Sequence, residues 1–191
     1  MHHQHEDIGT YLERLLHEGQ IKLEITGGTR TWRLRPSPRH QKMIDRIRAT
    51  IAPVYLVGAQ QRQTETGGHT VAPRCCAHTH CLCYHLSDVM LKFPDGSLKR
   101  PDIAIFCVEP PDIDEAWEQV PEAVIEIVSL DYEAKDLSIN PPWYLAQGVK
   151  DVLVVDPRAR RVTHFSHGQA SAEHALPRTF MLHCGCQVTI A

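Results

Sequence analysis

Two carboxylates stand where carboxylates are costly. Pro101-Asp102 leads into the apolar run Ile103-Ala104-Ile105-Phe106-Cys107-Val108, and Glu126 sits inside Val124-Ile125-Glu126-Ile127-Val128-Ser129. Both runs are short and branched, which predicts two buried strands. An acid at the start of one buried strand and another within the next lose free energy unless each is hydrogen-bonded, protonated or bound to a cation. A carboxylate pair of this kind can hold a divalent ion. The plainer reading is an Asp102 that opens its strand at the surface and a Glu126 that finds a hydrogen-bonding partner. On these two residues alone the plainer reading comes first.

A second constellation is Cys75-Cys76-Ala77-His78-Thr79-His80-Cys81-Leu82-Cys83, in which six of nine residues are soft-metal ligand types. With Cys184 and Cys186 near the C-terminus, the candidates for a structural Zn²⁺ are Cys75, Cys76, His78, His80, Cys81, Cys83, Cys184 and Cys186. Tetrahedral thiolate and imidazole coordination suits that ion. The spacing lacks the two-to-four-residue interval of zinc fingers and ribbons, so adventitious metal binding by a His/Cys-rich loop is the alternative.

The elements that must position these residues follow from local patterns. Thr10 and Glu13 form a capping box for an amphipathic helix with Ile8, Leu12, Leu15 and Leu16 on one face, ending near Gly19. Ile21 to Ile25 and Thr31 to Leu34 flank Thr26-Gly27-Gly28-Thr29 as a hairpin. Ser37-Pro38 is a cap followed by proline in the first helical turn, and Met43, Ile44, Ile47 and Ile51 make the buried face of the helix that follows. Its outward Lys42, Arg46 and Arg48 carry little weight as a basic face by themselves. Further strands are expected at Pro53 to Val57, Ser87 to Phe93, Asp151 to Val155, Arg161 to Phe165 and, as an edge, Gln187 to Ile190. Residues 58–74 are polar and are expected to form a loop or a poorly paired ribbon. Asn140-Pro141-Pro142 predicts a short helix capped by Asn140 and ending at Gly148.

Composition excludes several classes. With 191 residues, 42% hydrophobic and 23% charged, the chain suits one globular domain spanning 1–191. A net charge of −3 gives no global attraction to polyanions, so any such partner needs a local basic patch. No apolar run approaches the roughly 20 residues of a membrane span. The first residues lack an apolar leader, so a cytoplasmic location is the expectation. Seven cysteines, an odd number, argue for reduced thiols or metal ligands over a disulfide framework.

The order of these features resembles the Uma-two family of restriction-endonuclease-like proteins, within the PD-(D/E)xK nuclease superfamily. The resemblance runs from about Glu24 to Phe165. It rests on Glu24-Ile25-Thr26-Gly27-Gly28, Pro36-Ser37-Pro38-Arg39-His40-Gln41, and Pro94-Asp95-Gly96 through Arg100-Pro101-Asp102. Glu126-Ile127-Val128-Ser129 and Tyr144 to Val149 followed by Val152 to Pro157 complete it. It implies an α/β fold with a restriction-endonuclease-like core, a central mixed β-sheet flanked by helices, often as a homodimer. It implies DNA as substrate and phosphodiester hydrolysis assisted by Mg²⁺ (or Mn²⁺) held by Asp102, Glu126 and the carbonyl of Ile127. It further suggests Glu24 as an additional carboxylate and His40 as a phosphate contact. Val128 occupies the third place of the E-x-K triplet. The position from which relatives supply a lysine aligns with Asn140, which leaves Lys135 as the substitute. The alternative is a catalytically inactive nuclease-fold protein, zinc-stabilised or not, that binds nucleic acid or another partner.

Overall fold

The computed structural model describes residues 8–17, 21–34, 36–54, 82–129 and 138–191. Loop 58–74, Lys135 and the cluster members Cys75, Cys76, His78, His80 and Cys81 lie outside these residues.

Gly27 and Gly28 take φ of +53° and +81°, the left-handed conformation a two-residue hairpin turn requires. They join β1 (Ile21–Thr26) to β2 (Thr29–Leu34) in full antiparallel register, as expected. The chain then enters α2 (Pro38–Arg48), where the Ser37 hydroxyl accepts from the His40 N–H at 3.3 Å. Ile44 and Ile47 are buried, so the helix faces the core as its spacing predicts. The first helix, α1 (Ile8–His17), departs from expectation. It is already helical at Ile8, so Thr10 lies inside the first turn instead of capping it, and Ile8 is 75% exposed.

A six-stranded mixed sheet forms the centre. Its strands are β4 (Tyr84–Leu86), β7 (Ile103–Phe106), β8 (Ala123–Ile127), β9 (Asp151–Asp156), β10 (Arg161–Ser166) and β11 (Ala172–Ala175). The spatial order is β11-β10-β9-β8-β7-β4, and only β8 and β9 are parallel. The parallel pair needs a crossover, which contains α3 (Asn140–Ala146). Strands β7, β8 and β9 are buried on both faces, which is why their sequences read as continuous apolar runs. On one face Ile103, Ile105, Ile125 and Leu153 pack against Ile44 and Ile47 of α2; on the other, Ala104, Phe106, Val124 and Val152 pack with Tyr144 of α3.

Two smaller antiparallel sheets flank the centre. One has the order β2-β1-β6-β5, with β5 (Leu91–Lys92) and β6 (Leu98–Lys99); the other is β12-β13-β3, from Arg178–Met181, Cys186–Ile190 and Ala52–Pro53. Of the single strand expected from Ser87 to Phe93 only Leu91–Lys92 forms, as β5, while β4 ends before it at Leu86 and belongs to the central sheet. The break between them contains Asp88 at φ +57°. β13 pairs on both sides and is not an edge.

Cys83 and Cys186 form a disulfide across a sequence separation of 103 residues, tying the entry to β4 to the start of β13. This corrects the expectation of reduced thiols at these positions. A crosslink spanning about 100 residues restrains the unfolded chain by roughly 4–5 kcal/mol in the chain-entropy model. The sulfurs of Cys83 and Cys186 are spent on each other, so they are not zinc ligands in this form. Cys184 is buried beside them, and its carbonyl accepts from the Cys107 thiol at 3.9 Å.

At the start of β9, Asp151 is fully buried and held by His164 Nε2 at 2.8 Å, His183 Nδ1 at 2.8 Å and the His183 N–H at 2.7 Å. Burial pushes its pKa up, but the bonds from His164 and His183 outweigh that and hold it below the ordinary aspartate value. A folded-state pKa below the unfolded one adds stability that is complete above the unfolded value, about 3.9, and is lost as pH falls through the folded one. Urea unfolding at a series of pH values should show stability declining below about pH 4. Asp151→Asn should flatten that slope; an unchanged acid slope would show that other groups set it.

Candidate active site

The register of β7 on β8 places Ile103 opposite Ile125, so Asp102, one residue earlier, faces Glu126 across the pair. Each carboxylate reaches over to the other strand. Asp102 Oδ2 accepts from the Ile127 N–H at 2.8 Å, and Glu126 Oε2 lies 3.4 Å from the Asp102 nitrogen, a long contact. Asp102 is 9% exposed and Glu126 1%. The structure thus brings the two sequence-predicted acids together, with Ile127 beside them.

Helices approach the two acids from opposite faces of the sheet. From α3, the Tyr144 hydroxyl donates to Glu126 Oε1 at 2.8 Å, with the ring fully buried. From α2, His40 Nε2 lies 3.0 Å from Asp102 Oδ1, but its direction does not meet hydrogen-bond geometry. The contact is therefore one of proximity, and Nε2 is a buried nitrogen without a well-directed acceptor. Ser129 Oγ is 3.5 Å from His40 Nδ1, at the outer limit of a hydrogen bond, so it orients the ring weakly at most. The structure thus sets His40, expected as a phosphate contact, beside Asp102.

Glu24 occupies an adjoining polar layer. β1 pairs with β6 through Ile25 and Leu98, which sets Glu24 opposite Lys99. The Lys99 ammonium is fully buried and donates to Glu24 Oε2 at 3.2 Å, Thr26 Oγ1 at 3.1 Å and Asn140 Oδ1 at 3.1 Å. It also lies 5.3 Å from the Trp143 ring centre and 5.9 Å from that of Tyr144, within cation–π range. Tyr144 thereby links the two layers, with Lys99 against its ring and Glu126 at its hydroxyl. Asn140 is not the helix cap that Asn-Pro-Pro suggested. It is 1% exposed and already helical, with its side chain turned to Lys99.

Lys99 is the residue beside the site that sequence reasoning passed over. Its signal was the polar alternation Lys22, Glu24, Thr26 on β1, a face that needed a covering cation. Of the zinc candidates only Cys83, Cys184 and Cys186 lie among the described residues, and two of these form the disulfide. Among the described residues no group of three or more His, Cys, Asp or Glu side chains could hold a metal ion. Also among them, no helix is long and apolar enough to cross a membrane.

The family model Uma2, described as "Putative restriction endonuclease", matches residues 70–183, more than half of the chain. The chain belongs to the Uma2 family. That match includes Asp102, Glu126, Asn140 and Tyr144 and begins after Glu24 and His40. The crystal structure of a putative nuclease belonging to DUF820 from Anabaena variabilis is similar over 81% of this chain and 77% of that one. Its TM-score is 0.55 and its identity 18%, so the likeness is one of fold. No curated protein matches. Membership in Uma2 and the mixed central sheet agree with the fold class read from the sequence.

Proposed function

We propose that this Uma2-family chain hydrolyses phosphodiester bonds in DNA with the help of a divalent cation held at Asp102 and Glu126. The observation that carries the reading is the cross-strand pair itself. Two buried carboxylates side by side repel each other, and a cation between them removes that penalty. The donors would be hard oxygens, the two carboxylates and the Ile127 carbonyl that the family resemblance adds, a set suited to Mg²⁺ or Mn²⁺ and unlike a zinc site. A bound ion of this kind polarises a phosphate and lowers the pKa of an attacking water.

The protein's own groups supply orientation and charge. Tyr144 fixes the rotamer of Glu126, and the Ile127 N–H fixes that of Asp102. Lys99 holds Glu24 and Asn140 at the edge of the site. This makes Lys99 a source of positive charge beside the site. Its ammonium has three acceptors within 3.2 Å, so it acts as a positioning residue. A location in the cytoplasm and assembly as a homodimer fit this reading.

Supercoiled plasmid incubated with the purified chain and Mg²⁺ or Mn²⁺ should be nicked or linearised, and a chelator should stop the reaction. Calorimetry should show the ion binding in the absence of DNA. No cleavage with either ion, together with no heat of binding, would overturn the proposal in favour of a nuclease-fold protein that binds without cutting.

A further inference from the structure

The outer face of α2 carries Arg39, Lys42 and Arg46, at i, i+3 and i+7, and all three are exposed. That spacing aligns them in one stripe along the helix. None forms an ion pair with any of the described residues. Elsewhere the exposed or half-buried cations are commonly neutralised: Lys92 by Glu118, Lys150 by Glu122, Arg161 by Glu173, and Lys22 and Arg100 both by Asp88. Asp45, the one acid on the helix, projects roughly a quarter turn away from the stripe. In a chain of net charge −3, this is a local reversal of sign.

The stripe starts at the candidate site. Arg39 is followed directly by His40, whose ring lies against Asp102. From Arg39 to Arg46 the helix rises about 10 Å, close to the axial advance of three nucleotides at about 3.4 Å each. The apolar residues of α2 are committed to the core, with Ile44 and Ile47 buried and Met43 packed against them. An anionic lipid surface would need an exposed apolar face beside the charges, and α2 has none to offer.

We infer that the Arg39–Lys42–Arg46 face of α2 is the track along which the phosphodiester backbone of the substrate lies as it enters the site. This rests on the nucleic-acid reading above and extends it to a named surface. Each contact that neutralises a phosphate on duplex DNA releases about 0.9 of a counterion, so three contacts make up about 2.7 units of the slope of log K against log salt.

The test measures fluorescence anisotropy of a labelled 20-base-pair duplex across a salt series, in chelator so that nothing is cleaved. The full chain is compared with R39Q/K42Q/R46Q and with K92Q/K150Q/R161Q as a control for paired cations. The slope should fall by about 2–3 units in the first variant and stay unchanged in the second, with thermal unfolding unaltered in both. A slope preserved in R39Q/K42Q/R46Q, no duplex binding by the wild type at low salt, or binding to anionic vesicles in preference to duplex would each overturn the inference. Binding through α2 without plasmid cleavage would sink the nuclease proposal and leave this one standing. Cleavage by a chain whose binding ignores α2 would do the reverse.

Discussion

Replacing Lys99 by methionine should lower the unfolding free energy by about 3–5 kcal/mol, the usual penalty for removing one partner of a buried ion pair. Methionine fills much of the same volume, so lost packing contributes little. The loss comes from what remains. Glu24 keeps its place inside the protein but is deprived of the ammonium it faces, and the Thr26 hydroxyl and Asn140 carbonyl lose a charged donor. Glu24→Leu alone should be damaging too, because it strands the buried ammonium. The double variant Lys99→Met/Glu24→Leu should recover much of the deficit, since an apolar pair of similar volume is often as stable as a buried ion pair. Urea unfolding of the three variants closes a double-mutant cycle whose coupling energy reports the pair. A single Lys99→Met that unfolds within 1 kcal/mol of wild type would mean that the ammonium is not held as the geometry shows. Because the cycle reads stability alone, it holds whether or not the chain cuts DNA.

The acids of the site were legible in the sequence because a charge in an apolar run stands out against its neighbours. Asp102 and Glu126 each interrupt or begin a run of branched residues, and the strands formed where those runs lie. What could not be read locally was the register. That Asp102 faces Glu126, and Glu24 faces Lys99, depends on pairings between segments 24 and 75 residues apart. Lys99 was hidden for a further reason: β6 is two residues long, too short for any periodicity to declare itself, and lysine is ordinarily a surface residue. Asn140 misled in the opposite direction. An asparagine before two prolines matches a helix start so well that the competing use of its amide, as an acceptor for a buried cation, left no local trace. The disulfide was equally invisible, since cysteines 103 positions apart carry no sign of their pairing.

Asp102→Asn should reduce metal-dependent cleavage by at least 10²–10³-fold while leaving the fold nearly intact, and the contrast between the two effects decides what Asp102 is for. Among the described residues the Asp102 carboxylate accepts one hydrogen bond, from the Ile127 N–H to Oδ2 at 2.8 Å. Asparagine retains a carbonyl oxygen able to accept it, so unfolding free energy should change by no more than about 1 kcal/mol. What asparagine cannot retain is the negative charge. If Asp102 were simply a strand-opening acid that ties down the backbone of β8, charge would be dispensable, and the variant would cleave within tenfold of wild type. If it holds a divalent ion with Glu126, losing one of two formal charges weakens the hard-oxygen donor set. Heat of Mg²⁺ binding should then fall together with cleavage. Plasmid cleavage rates, Mg²⁺ calorimetry and urea unfolding on the same preparation separate these cases. His40 makes the contrast sharper, because neutralising Asp102 removes the charge beside its poorly directed Nε2 while leaving the amide within reach of that nitrogen. Loss of cleavage and ion binding with the fold retained is thus the result expected of a ligand, and loss of stability alone is the result expected of a backbone clasp.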